Sequence, residues 1–351
     1  VTESRLRRSV KLIVLLGSLS LLILLPYLFD PQRGSPWITL LIMANYLAIF
    51  AMSWDILSGY TGQISLGHAF FVGAAAYLSG LTNLYLDWPL FYSIPFGVAV
   101  SVFLGLFVGI PTLRLRGAYL ALVTLILPII AMKLIDLEQF APYTRGRLGV
   151  SGLEPLIEVE LKDFNGDGRI NRVDVLRRYA LDQRLDYYYS LGLMVAVALG
   201  LVRLSRSRVG QVFEAIREDE EAVQAAGINT AKYKLLAFTI SAFVAGLGGA
   251  FYAHYWGSLV PREMISLDLS IQIVIASVFG GMGTILGPIF GAYFLAAGRD
   301  LLAESWPAGW ELPPGGTTLV FIALLLLLLR FAPRGVLFWL INPARVSRSL
   351  R

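Results

Sequence analysis

Cysteine is absent from the 351-residue chain. That excludes a disulfide framework, a thiolate metal site and a cysteine nucleophile. Histidine is scarce: the two present, His68 and His254, are too far apart in sequence to form an HExxH or HxxxH metal pair. No G-x-x-x-x-G-K-[ST] phosphate loop and no G-x-S-x-G nucleophile elbow occurs. The chain is therefore not expected to bind and hydrolyse ATP by itself or to act as an enzyme. Charge is also sparse, at 15% DEKR against 56% hydrophobic residues, and the mean hydropathy is +0.68. That is too apolar for a soluble domain of this length. The formal net charge of +5 looks like a nucleic-acid signal only until the charges are located. They gather at the ends of apolar runs, where they report orientation and contact with anionic membrane lipid; nucleic acid is not an expected partner.

The chain is rich in long apolar runs. They predict an all-α polytopic membrane protein of about ten transmembrane helices, with a small helical extracytoplasmic insert. Arg5, Arg7, Arg8 and Lys11 precede the first run, Leu12–Phe29. No small-residue cleavage site follows it, so it reads as a retained span with its N-terminus inside. Further spans are expected at about 37–57, 64–86, 88–110, 117–135, 187–203, 235–255 and 316–331. The stretch 268–300 is ambiguous by length. As one helix it would put the basic tail (Arg330, Arg334, Arg345, Arg348, Arg351) outside. As two short spans meeting near Gly280–Thr284 it keeps that tail inside, which the positive-inside rule favours. The expected organisation is an N-terminal membrane half (1–137), an extracytoplasmic insert (138–186) and a C-terminal membrane half (187–351). Both termini are then cytoplasmic, in a cell (inner) membrane.

Between the spans at 187–203 and 235–255 lies a polar segment, 205–234: SRSRVGQVFEAIREDEEAVQAAGINTAKYK. Arg203, Arg206, Arg208, Arg217, Lys232 and Lys234 around it place it on the cytoplasmic side. Val212, Ile216, Val223 and Ala226 recur at roughly helical spacing, and Arg217 and Glu221 fall at i, i+4. Gly227 stands where a left-handed helix terminator belongs. A solvated connecting helix and a docking helix, on which another protein pushes to move the adjoining spans, both fit this pattern.

The residues AIREDEEAVQAAGINTAKYKLLAFTISAFVAGLGGAFYA resemble the coupling-helix region of permease subunits of branched-chain amino acid ABC importers. The resemblance continues in WDILSGYTGQISLGHAFFVGAAAY (54–77), LRLRGAYLALVTL (113–125), FGGMGTILGPIFGA (279–292) and FAPRGV (331–336). It is closest to the larger of the two permease types and covers nearly the whole chain apart from the insert. It implies a transport subunit that pairs with a second, related permease to enclose one path. Two cytoplasmic ATPase subunits would grip the coupling helices, and an extracytoplasmic solute-binding protein would deliver the substrate. Glu214, Ala215, Arg217, Glu218, Ala225 and Gly227 are the expected ATPase contacts. A permease for urea or short amides is poorly separated from this reading. A motor-independent secondary transporter is expected to hold a mid-span carboxylate or cation site, and Asp55 lies near a span end.

Polar groups in or near spans are candidates for the substrate path. Asn45, Gln63, His68 and His254 are taken as such; Asp55 and Gln272 are also of this kind. A lone histidine in a helix bundle is equally a structural hydrogen-bonder. The segments GYTGQISLG (59–67) and GGMGTILG (280–287) share Gly-x-x-Gly-x-Ile and are candidate corresponding elements of two internal halves. For 59–67, a broken helix lining the route and simple helix packing are both open. Gly283, Gly287 and Gly291, like Ala242, Gly246 and Ala250, read as helix-packing positions.

The insert carries D-x-N-x-D-G-x-I-N-x-x-D over 163–174. A calcium loop needs oxygen ligands at positions 1, 3 and 5, a carbonyl at 7 and a carboxylate at 12. Asp163, Asn165, Asp167, Arg169 (through its carbonyl) and Asp174 fill these places, with Asn171 at position 9. The segment resembles half of a dockerin repeat, although Asp rather than Glu stands at position 12. Ca2+ is the expected ion; an Asn-Gly-Asp-Gly turn in a solvated loop is the alternative.

Overall fold

A computed structural model of the chain describes residues 17, 20–27, 36–113, 115, 117–157, 172–304, 323, 327, 330 and 335–337. Half of the expected first span and most of the expected last span lie outside these residues. So does the calcium loop, apart from the helical backbone of 172–174. The described elements are α1 (Pro36–Trp54), α2 (His68–Leu86), α3 (Leu90–Thr112), α4 (Ala118–Ile135), a one-turn α5 (Ala141–Thr144), α6 (Arg172–Ser205), α7 (Arg208–Glu218), α8 (Glu220–Ala225), α9 (Thr230–Trp256), a one-turn α10 (Pro261–Met264), α11 (Leu267–Gly281) and α12 (Leu286–Glu304). Two short strands, β1 (Val150–Ser151) and β2 (Ser258–Leu259), pair antiparallel, Val150 opposite Leu259.

Among the described residues, seven helices are long and apolar enough to cross a membrane: Pro36–Gly59, His68–Leu86, Leu90–Thr112, Ala118–Ile135, Arg178–Ser205, Thr230–Trp256 and Pro261–Gly281. The shorter apolar helix Leu286–Gly298 follows the last of them. The stretch 268–300 is thus two helices, as the charge rule requires, broken at 282–285.

The chain divides into two compact units. The first comprises 1–42 and 157–192. In it Gln183 Nε2 donates to Thr39 Oγ1 (2.8 Å), while the hydroxyls of Tyr187 and Tyr188 donate to the carbonyls of Leu22 (2.7 Å) and Ile23 (2.9 Å). The Arg184 guanidinium lies over the Tyr27 ring, 5.3 Å from its centroid. Residues 172–186, expected within the helical insert, are helical and run on without interruption into the following span. No helix breaker interrupts VDVLRRYALDQRLDYYYSLG, so the helix extends without a cap through this stretch.

The second unit comprises 43–156 and 193–351. In it α9 packs along both α2 and α3, and α11 packs on α12. Small residues allow these approaches. A Cβ on Gly249 would overlap the Val72 carbonyl, and one on Gly280 would overlap that of Gly287. Side-chain hydroxyls stitch the helices: Ser101 Oγ lies 2.8 Å from the Ala242 carbonyl, a bond worth about 0.6 kcal/mol on average in such bundles. Rings of Tyr46 and Phe50 meet Tyr252 edge-on, joining α1 to α9. At the end of the unit that holds β1 and β2, Tyr77, Leu153, Leu259, Met264 and Ile265 form a buried cluster.

Candidate functional site

The polar segment between α6 and α9 is two helices rather than one. Ser207 caps α7 by accepting from Gly210 N (3.4 Å). Asp219 then leaves helical geometry, and its Oδ1 accepts from Glu221 N and Ala222 N (both 3.0 Å), starting α8. This break separates Arg217 from Glu221, so the expected i, i+4 pairing is replaced by another contact for Arg217. Gly227 ends α8 with φ +82°, the left-handed conformation expected of it. Asn229 caps α9 by accepting from Lys232 N (3.1 Å). The buried stripe of α7 is Gly210, Phe213 and Ile216, with Phe213 edge-on to Tyr233. In α8, Glu220 Oε1 lies 2.6 Å from Lys234 Nζ and 3.2 Å from Thr230 Oγ1, which fastens the segment to the first turn of α9. Glu214, Arg217, Glu218, Ala225 and Gly227 are exposed, and Ala215 is half-buried.

Arg217 reaches away from its own helix. Its Nη1 donates to the carbonyl of Gly59 (2.6 Å), while Nη2 makes a looser, partly exposed pair with Glu218 (3.5 Å). Gly59 closes a π-helical turn, Asp55–Gly59, that widens the end of α1. In that turn the buried Asp55 Oδ1 accepts from Gly283 N (2.7 Å) and Ser277 Oγ (3.2 Å), both from the α11–α12 region. Gly59 has no room for a side chain: a Cβ would overlap Asp55 Oδ1 and lie 2.6 Å from Gly283 N. The two glycine-bearing segments noted in the sequence therefore touch each other at their first turns, and α7 holds the junction through one guanidinium. Tyr60, the next residue, is also enclosed. Burial pushes its phenol above the ordinary value.

Beyond Gly62 (φ +73°) the chain does not return to helix until His68, so the expected span at 64–86 starts late. Ser58 Oγ donates to the Gln63 carbonyl (2.9 Å) and accepts from Ser65 N (3.3 Å). The Trp54 indole donates to the Ser65 carbonyl (2.6 Å), and Leu66 N donates to Thr124 Oγ1 (3.0 Å). These bonds hold 62–67 in a non-helical conformation. Gln63 and Ser65 turn inward, while Gly62 and Ile64 turn outward.

The candidate path residues occupy different surroundings. His254 Nδ1 lies 2.9 Å from the Glu154 carbonyl, which can only accept, so Nε2 takes the Ser79 hydroxyl proton (2.9 Å). Ser241 donates its proton to the Ser53 carbonyl (2.7 Å) and so accepts from His68 Nε2 (2.7 Å), leaving Nδ1 to face Ser65 Oγ (3.3 Å). Both rings are fully buried and engaged at both nitrogens. Asn45 is buried and bonded to the Tyr293 hydroxyl. Gln63 is buried, and its Oε1 has no hydrogen-bond partner among the described residues. Gln272 bonds Asp268 on its own helix (2.7 Å). Among the described residues no group of three or more His, Asp or Glu side chains is placed to hold a metal ion. Asp163, Asn165, Asp167, Arg169 and Asn171 lie outside those residues, as does the side chain of Asp174.

The helix break at Asp55–Gly59 is thus gripped by an amphipathic helix that lies between two membrane-length helices. The family described as branched-chain amino acid transport system / permease component matches residues 37–329, which include every part of this junction. The chain belongs to that family. This permease is 30% identical over 292 residues to the high-affinity branched-chain amino acid transport system permease protein LivM of Salmonella typhimurium (strain LT2), covering 81% of this chain and 67% of the relative. It is 30% identical over 284 residues to LivM of Escherichia coli (strain K12), covering 79% and 65%. The chain thus spans about two thirds of the length of these relatives. A shorter match, 30% over 128 residues, is to the autoinducer 2 import system permease protein LsrC of Enterobacter sp. (strain 638). No solved structure matches the permease.

Proposed function

We propose that this permease is the membrane subunit of an ATP-driven importer for branched-chain or related hydrophobic amino acids, and that it forms the translocation path with a second permease. The observation that carries the reading is the Arg217 bond to Gly59 at the Asp55–Gly283 junction. A push on α7 and α8 reaches the ends of α1 and α11 directly through that guanidinium, and reaches α9 through Glu220 and Lys234. ATP hydrolysis then belongs to two cytoplasmic subunits docked on the exposed Glu214, Glu218, Ala225 and Gly227, with Ala215 at the edge of the contact. Arg217 passes the movement inward. A solute-binding protein supplies the amino acid from the other side of the cell membrane, and both termini stay with the ATPases. The spacing from Asp163 to Asp174 further supports Ca2+ in the 163–174 loop. Heat evolved on calcium titration of the full chain, abolished by Asp163→Asn with Asp167→Asn, tests that part.

The transport reading is tested by reconstituting the full complex in vesicles and following ATP-driven uptake of labelled leucine and labelled urea. Leucine uptake is expected; urea uptake alone would replace the substrate class. Arg217→Gln is expected to lower leucine uptake at least tenfold while ATPase activity persists. Unchanged uptake in that variant would sink the coupling role.

A further inference from the structure

The non-helical segment after the break runs deep into the helix bundle. Gly59 touches Gly283, just past the end of α11, while Ala69 N donates to Ser270 Oγ (3.2 Å). Ser270 and Gly281 are eleven residues apart on α11, about 16 Å at 1.5 Å per residue. The chain from Gly59 to Ala69 therefore climbs roughly that far. Thr124, which bonds Leu66 N, is six residues into α4, about 9 Å from its start. Halfway along this climb sits Ile64, 45% exposed, between the inward-turned Gln63 and Ser65. Neither the N–H nor the carbonyl of Ile64 makes a hydrogen bond among the described residues.

Irregular backbone with free polar groups does not face lipid at membrane depth; it persists where protein buries it or where water and solute pass. Ile64 is exposed, so burial within the chain does not apply. We propose that Ile64 and its free backbone groups line the translocation route and contact the passing solute, a zwitterionic α-amino acid with an apolar side chain. The N–H faces a carboxylate, the carbonyl faces an ammonium, and the sec-butyl side chain meets the apolar one. This assignment rests on the importer reading and names a substrate contact within it.

The absence of native cysteine allows a direct test. Gln63→Cys, Ile64→Cys and Ser65→Cys are made singly in the full complex in vesicles. Each is treated with a charged methanethiosulfonate or with a lipid-soluble maleimide, and modification of this chain is read by mass. Ile64→Cys is expected to react with the charged reagent at least tenfold faster than either neighbour, and at least threefold more slowly with saturating leucine. Ile64→Trp is expected to lower leucine uptake at least tenfold with the complex still assembled. Reaction of Ile64→Cys with the lipid-soluble reagent alone would place the residue against lipid and overturn the assignment. So would a rate indifferent to leucine, or full uptake in Ile64→Trp. Uptake by the cysteine-free parent is measured alongside: its absence would sink the importer reading itself, whereas normal uptake with an unreactive Ile64→Cys removes only this contact.

Discussion

The two Gly-x-x-Gly-x-Ile segments start alike and end differently. Gly59 and Gly280 each stand near the end of an apolar helix, and Gly62 and Gly283 both take positive φ (+73° and +79°). At the position of Thr284 the first segment has Gln63. Thr284 Oγ1 accepts from Gly287 N (3.2 Å), so α12 begins within three residues of the second glycine. Glutamine is a poor helix cap, whereas threonine is a good one, and after Gly62 the chain stays non-helical as far as Gly67. The isoleucines that follow have opposite fates: Ile285 is 4% exposed and Ile64 45%. The closed helical corner carries a capping hydroxyl where the open, non-helical one carries a glutamine amide.

Substitutions at the junction break this comparison in graded steps, each read as the apparent melting temperature of the purified chain. Gly59→Ala is expected to cost most, about 3 kcal/mol, because its Cβ meets Asp55 Oδ1 and the Gly283 backbone, neither of which can yield cheaply. A melting temperature within a degree of wild type would show that the two corners do not touch. Asp55→Ala comes next, at about 2 kcal/mol, since it strands the buried donors Gly283 N and Ser277 Oγ. Asp55→Asn keeps an acceptor and should lose clearly less; equal losses would mean that charge rather than hydrogen bonding holds the corner. Thr284→Val removes only the cap and is expected to cost about 1 kcal/mol. If Thr284→Val leaves stability unchanged, the difference between the segments has some other origin than capping.

Much of the fold was legible because hydrophobic runs and terminal charges are one-dimensional signals. The spans between 36 and 135, the split of 268–300 and the left-handed Gly227 all follow from such signals. The likeness of the two glycine segments was legible as well, as shared Gly-x-x-Gly-x-Ile; their contact was not. What stayed hidden depends on partners distant in sequence. Arg217 pairs in sequence with Glu221, but the Asp219 cap breaks the helix between them and the guanidinium crosses 158 residues to Gly59. Gln63 carries the amide of its segment and attracts attention as a path residue. The alternation fixed by Ser58, Trp54 and Thr124 turns it inward and leaves apolar Ile64 facing out. Searching sequence for polar residues in spans could not find Ile64, because its candidate chemistry lies in backbone groups that every residue has.

The two histidines acquire a mechanical meaning from their positions. Along α2, His68 and Ser79 are eleven residues apart, and each is bonded to α9, through Ser241 and His254 respectively. Two rivets set about 16 Å apart stop one rod from sliding past the other, so α2 and α9 form a single stiff beam. The second rivet is doubled: His254 also meets the Glu154 carbonyl, and the Glu154 N–H and carboxylate are both held by Asn83 of α2 itself. Any force that slides α9 along α2 must therefore break both ties at once.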